Sequence, residues 1–155
     1  MDAKATSGVR FPPPLYFLIP LLLSVATEFL FPAQRFLPSL AAACIGAALI
    51  ALAVAFASSA LVTMRRAGTS PVPVTPTRAL VTGGPYRFSR NPMYVGMTLA
   101  YVGVATWTQA VWAFVYLPIV LLAIRRLVID PEERYLTAKF GEVYVRYCQQ
   151  VRRWL

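Results

Sequence analysis

A chain of 155 residues is about one domain by the usual prior of roughly 100–200 residues each, so one membrane-embedded unit over residues 1–155 is expected. Its residues are 58% hydrophobic and 14% charged, with mean hydropathy +0.60, and this excludes a soluble globular protein, which carries about 45–50% apolar and about 25% charged residues. The net charge of +9 on so little polar surface points to anionic lipid headgroups and not to nucleic acid.

In chain order, residues 15–31 form the first apolar run, broken by Pro20 and Glu28. At about 1.5 Å per residue it reaches about 25 Å, a marginal span for a hydrocarbon core of about 30 Å. Pro12-Pro13-Pro14 before it and Phe31-Pro32-Ala33-Gln34-Arg35 after it offer no small-x-small cleavage site, so a retained helix is expected. Residues 39–62 carry no charge and are rich in alanine, which suits a span that packs closely on its neighbours. The next stretch, 63–91, is expected to be a polar cytoplasmic loop. It holds five arginines, four prolines and Gly68, Gly83 and Gly84, a content that cannot lie in hydrocarbon.

Apolar sequence resumes over residues 92–129, too long for one span and right for a hairpin of two, about 92–107 and 110–129. The turn is predicted near Thr106-Trp107-Thr108-Gln109, with Trp107 and Trp112 as interfacial aromatics. Asp130-Pro131-Glu132-Glu133 reads as a helix start, with Asp130 as N-cap, and a C-terminal amphipathic helix is predicted over 131–150. Leu136, Phe140, Val143, Tyr147 and Val151 give it one apolar stripe. The fold class is thus all-α, a polytopic membrane protein with four spans. Of the 15 basic residues, 14 fall on the face shared by the N-terminus, the long loop and the tail, so that face is expected in the cytoplasm, at a bacterial inner membrane.

The chain has no histidine, which removes histidine general bases, histidine metal sites and serine–histidine triads, and no metal is expected. Cys44 and Cys148 lie in unlike settings and predict no disulfide. The string GGPYRFSRNPMYVG, residues 83–96, is open to two readings: a loop that ends where a helix begins, or a ligand cradle in which glycine permits close approach and Tyr86 and Tyr94 stack and hydrogen-bond. Glu132-Glu133 is likewise either ordinary helix capping or a pair in which one carboxylate meets a cationic ligand. Glu28 is either a functional intramembrane acid or a side chain reaching the headgroup layer near Pro32.

Taken together, Arg90-Asn91-Pro92-Met93-Tyr94-Val95-Gly96, the hydrophobic hairpin, Glu132-Glu133 and Phe140-Gly141-Glu142-Val143-Tyr144 resemble the isoprenylcysteine carboxyl methyltransferase and phospholipid N-methyltransferase group of integral-membrane enzymes. Leu80-Val81-Thr82-Gly83-Gly84-Pro85-Tyr86 is similar to that family's approach to the first motif, and the likeness covers roughly residues 65–155. The resemblance implies S-adenosylmethionine as cofactor and methyl transfer to a lipophilic acceptor, a phospholipid amine, a thiol or an isoprenylcysteine-like molecule, drawn from the bilayer. By motif position it implies Arg78, Ala79, Leu80, Val81 and Tyr86 on the adenosine side, and Asn91, Pro92, Met93 and Tyr94 at the helix entry. Arg90 beside them and Glu132 and Glu133 at the cofactor's polar end complete the expected set.

Two positions depart from the family pattern. Asn91 stands where the family has histidine, and Val128 stands where the prenylcysteine branch places an arginine before the glutamate pair. The second departure predicts an acceptor without a prenylcysteine carboxylate. Two rival readings are a small four-helix multidrug transporter using Glu28, which needs only short loops, and a sterol-type membrane reductase, which binds a nicotinamide cofactor through arginines such as Arg87 and Arg90.

Overall fold

The computed structural model describes residues 11–70 and 77–155, and every regular element within them is helical. The basic residues Lys4 and Arg10 and the loop residues 71–76 lie outside the described residues. Helix α1, Pro13–Leu30, begins on a proline, whose fixed φ and missing N–H suit a first turn. Beyond its end, Glu28 Oε1 accepts a hydrogen bond from the Ala33 amide at 2.7 Å, so this acid closes the turn toward the next helix.

Helix α2, Ser39–Arg66, runs one turn past the expected end and takes Thr63–Arg66 out of the predicted loop. Arg65 and Arg66 occupy its last turn, where cations complement the helix dipole. Helix α3, Pro92–Thr108, lies along α2 in the most extensive helix contact of the fold. Glycine permits the approach: a Cβ added at Gly46 would stand 2.7 Å from the Gly103 carbonyl, and one at Gly103 would stand 2.8 Å from Ile50 Cγ1. Small residues at such contacts replace the hydrophobic drive that lipid-facing helices lack.

The hairpin turns where expected. Gln109 adopts the left-handed conformation (φ 55°, ψ 33°), its side-chain oxygen accepts from the Leu37 amide at 3.2 Å, and helix α4 follows over Val111–Ile124. Helix α1 packs on α4, where Thr27 and Tyr116 share a hydrogen bond of 2.7 Å and Trp112 Nε1 donates to the Phe31 carbonyl at 2.8 Å.

The predicted helix start at Asp130 is not present. Ile129 is already helical, no side chain caps the segment, and α4 continues through a wide π turn, Arg125–Ile129, into helix α5, Asp130–Phe140. The Asp130 amide reaches back five residues to the Arg125 carbonyl. That wider turn accommodates Pro131, which has no N–H and whose ring would crowd a regular turn before it. The Asp130 carboxylate pairs with Arg153 at 3.1 Å instead of capping.

Nor is the helix over 131–150 continuous. Gly141, at φ +57°, separates α5 from helix α6, Glu142–Gln150. The predicted stripe is split accordingly: Tyr147 is buried while Val143 is 55% exposed.

Helices α1, α2 and the continuous Val111–Phe140 rod are long and apolar enough to cross a membrane, and the protein is an integral membrane protein. Exposed Leu22, Phe29, Leu40 and Ile119 give these rods an apolar exterior. The core between them is built from Phe17, Tyr94, Tyr101, Val120, Ile124, Val128 and Ile129.

Candidate ligand-binding site

The site grows from the junction at residues 83–92. Gly84 takes φ +58° with its α-carbon against α2, where an added Cβ would lie 2.7 Å from Thr63 Oγ1. This close approach seats a 3-10 turn, Gly84–Arg87, that buries Pro85 and Tyr86. The last residues of the chain then lie across the junction. The Arg90 amide donates to the Arg152 carbonyl at 2.9 Å, and the Arg153 carbonyl accepts from Asn91 Nδ2 at 3.0 Å and Ser89 Oγ at 3.3 Å. Helix α6 is tied to the same turn through Tyr147, whose hydroxyl donates to the Tyr86 carbonyl at 2.6 Å.

These elements enclose a cavity of about 490 Å³, within the roughly 300–1,000 Å³ typical of small-molecule sites. Of the residues singled out from sequence, Ala79, Leu80, Val81, Tyr86, Arg90, Asn91, Met93, Tyr94, Glu132 and Glu133 line it. Arg78 and Pro92 do not. Arg78 is exposed and contributes its amide to Thr69 Oγ1 at 3.0 Å, and Pro92 is spent on packing, wholly buried at the first turn of α3. Sequence reading missed Met64, Thr69, Thr77, Met97, Leu136, Tyr144, Tyr147 and the stretch Phe11-Pro12-Pro13-Pro14. Met97, one turn beyond Met93 on the same helical face, was open to recognition from spacing alone.

The two glutamates have opposite surroundings. Glu133 accepts a forked pair of bonds from Arg153, Nη2 to Oε2 at 2.5 Å and Nε to Oε1 at 3.2 Å, and also pairs with Arg90 at 3.2 Å. Among the described residues Glu132 has no ion pair; its Oε2 accepts one hydrogen bond from them, from the Tyr94 hydroxyl at 3.2 Å. A carboxylate so placed, drawn from water and without a cation, is stabilised by a positively charged ligand.

The nearby phenols hold their protons. Burial, reinforced by the Glu132 charge, pushes Tyr86 well above its ordinary value, and burial followed by Glu133 does the same for Tyr144. Tyr147 is pushed up to about 12, mainly by burial and against the opposing effect of Arg90. At neutral pH these groups are hydrogen-bond donors, not bases. Arg90, whose Nη1 contacts Cys148 Sγ as well as Glu133, has a buried Nε without a partner among the described residues. With three methionines in the wall, the arrangement suits a ligand that carries a cationic centre on an otherwise weakly polar body.

Comparison with known proteins bears on which ligand that is. The family model described as phospholipid methyltransferase matches residues 41–143, from the first turn of α2 into α6. An uncharacterized protein of Haemophilus influenzae is 40% identical over 63 residues, which are 41% of this chain and all of that protein. Phosphatidylethanolamine N-methyltransferase B of Dictyostelium discoideum is 53% identical over 34 residues, 22% of this chain and only 17% of that protein's length.

Proposed function

Since the chain belongs to the phospholipid methyltransferase family, we propose that it transfers a methyl group from S-adenosylmethionine to a lipophilic acceptor at the cytoplasmic face of a bacterial inner membrane. The observation that carries this reading is Glu132, a cavity-lining carboxylate with no ion pair among the described residues, beside a Glu133 that two arginines occupy. S-adenosylmethionine, when bound, supplies an electrophilic methyl group on a sulfonium and carries an ammonium that a lone carboxylate would hold. Ala79, Leu80, Val81 and Tyr86 would bind its adenosine side, and Met93, Tyr94 and Glu132 its polar end.

In this reading Glu133 is a positioning residue. It anchors Arg90 and Arg153, and through Arg153 the tail that braces Asn91. An amide thus does mechanical work at the family's histidine position. Holding two reactants in line can lower a barrier by roughly 7–11 kcal/mol, so alignment supplies much of the catalysis. A thiolate acceptor needs no base. For an amine acceptor, Glu132 is the one lining carboxylate free of ion pairs among the described residues, since Glu133 is engaged and the phenols stay protonated.

Two observations favour a phospholipid amine or a lipophilic thiol over a prenylcysteine. Val128 is wholly buried, and Arg125 and Arg126 are exposed on the π turn and do not line the cavity, so this segment offers no arginine fork to a prenylcysteine carboxylate, and Arg90 in the cavity wall is already paired with Glu133. The 17-residue helix α3 serves as the fourth crossing, which returns the tail to the face of the long loop. Family membership does not support the reductase or the transporter reading, and Glu28, on which the transporter depends, closes a local turn. A radiolabelled methyl screen over total lipid extract tests the proposal: label in a phospholipid or lipophilic thiol fraction is expected, and no lipid-soluble label would refute it.

A further inference from the structure

Beside Tyr86 and Tyr94, helix α6 contributes Tyr144 and Tyr147 to the lining of the cavity, and all four residues are buried. The two α6 rings have centroids 6.1 Å apart and planes inclined by 50°, so they form angled walls and not a flat stack. Their hydroxyls are engaged within the protein: Tyr147 donates to the Tyr86 carbonyl at 2.6 Å, and Tyr144 is hydrogen-bonded to Cys148. What these two side chains chiefly leave to a ligand is the ring itself. A protonated phenol ring carries no net charge and has electron-rich faces.

The charged residues of the lining are Arg90, Glu132 and Glu133, and Arg90 is paired with Glu133. In the methyl-transfer reading the donor's ammonium takes Glu132. A second cation in the same cavity then has aromatic rings as its partners. Rings suit an alkylated ammonium well, because its charge is spread over carbon-bound hydrogens that make no conventional hydrogen bond to a carboxylate.

From this arrangement we infer that Tyr86, Tyr144 and Tyr147 form an aromatic box that holds the acceptor nitrogen as it becomes an alkylated ammonium. The inference deepens the methyltransferase reading and rests on it for the assignment of that nitrogen to the acceptor. The lone pair of a neutral amine forms the new N–C bond while the donor's S–C bond breaks and leaves its electron pair on sulfur. One positive charge thus passes from sulfur to nitrogen and stays in the cavity, where the rings attract it. A thiolate acceptor would instead bring a second anion toward Glu132, with the one lining arginine already paired. The box therefore favours an amine acceptor over a thiol.

The test uses the full chain in phosphatidylglycerol nanodiscs, which present no amine headgroup, saturated with S-adenosylhomocysteine, whose sulfur is uncharged. Binding of choline is compared with that of its neutral isostere, in which a tert-butyl group replaces the trimethylammonium. Choline is expected to bind about tenfold more tightly. Tyr144→Leu is expected to abolish the preference, and Tyr144→Phe, which keeps the ring, to retain it. Retained S-adenosylhomocysteine binding shows that each variant is folded, and Tyr147→Leu replaces Tyr144→Leu where the latter is not. Equal affinities for the two probes in the wild type, or an undiminished preference in the folded leucine variant, would overturn the inference. Choline that S-adenosylhomocysteine displaces would overturn it too, since the cation site would then be the donor's at Glu132. A choline preference in a protein that binds no S-adenosylhomocysteine would instead count against the methyl-transfer reading and leave the box standing.

Discussion

Arg153→Ala removes one side chain and isolates one question: how much the site depends on its paired carboxylate. The substitution deletes the two bonds to Glu133 and the contact with Asp130 at 3.1 Å, while the Arg153 carbonyl continues to accept from Asn91 and Ser89. Breaking a fully buried pair costs about 3–5 kcal/mol. Here the Arg153 side chain is 27% exposed and Glu133 keeps Arg90, so solvent screening and the remaining partner bring the expected loss down to about 2 kcal/mol. For a chain of this size, each kcal/mol moves the midpoint by about 2–4 °C, and Tm should fall by about 4–8 °C in detergent thermal unfolding. Adding Glu133→Gln to Arg153→Ala should cost less than the two single losses together, because both act on one pair. Additivity within about 0.3–0.5 kcal/mol, or an unchanged Tm for Arg153→Ala, would refute the pairing as a structural brace.

Gly103→Leu should lower Tm by more than Arg153→Ala, because its Cβ alone meets the Gly46 carbonyl at 3.0 Å and Ile50 Cγ1 at 2.8 Å, and backbone cannot yield as a side chain can. Thermal unfolding checks the ranking. Acetyl-farnesyl-cysteine should be a poor acceptor beside phosphatidylethanolamine or a short alkyl thiol, since a carboxylate brought to Val128 would be desolvated without a partner. Efficient turnover of the prenylcysteine alone would contradict this. Single cysteines placed at residues 78 and 150 should label from the same face of sealed vesicles and one at residue 35 from the other, as four crossings require. Labelling of all three from one side would rule that topology out.

The helices were legible because long uncharged runs have few alternatives in lipid, and the tight α2–α3 contact could be anticipated from the alanine and glycine content of 39–62 and 92–107. Asp130 was misread for a local reason with a distant cause. Asp-Pro-Glu-Glu has every residue of a helix start, yet the carboxylate is claimed by Arg153, far along the chain, and the π turn lets the helix run through the proline. Gly141 was the opposite case. A glycine directly after Lys139-Phe140 is a helix stop by local chemistry, and counting apolar spacing across it hid the break. Within the site, the motif residues were readable as a group. The apolar part of the wall was not, since Phe11, Pro13 and Met64 carry no chemistry until the fold brings them to one cavity.

The account turns on Glu132 as the carboxylate that meets a cation. Calorimetric titration of the detergent-purified protein with S-adenosylhomocysteine, which keeps the donor's ammonium, should give saturable binding that Glu132→Gln weakens about ten- to hundredfold. That is the loss of one charge-assisted interaction worth roughly 1.5–3 kcal/mol. Glu142→Ala, exposed at the start of α6 and away from the cavity, should bind as the wild type does. Equal affinities for Glu132→Gln and wild type, or no saturable binding to any of the three proteins, would contradict the account.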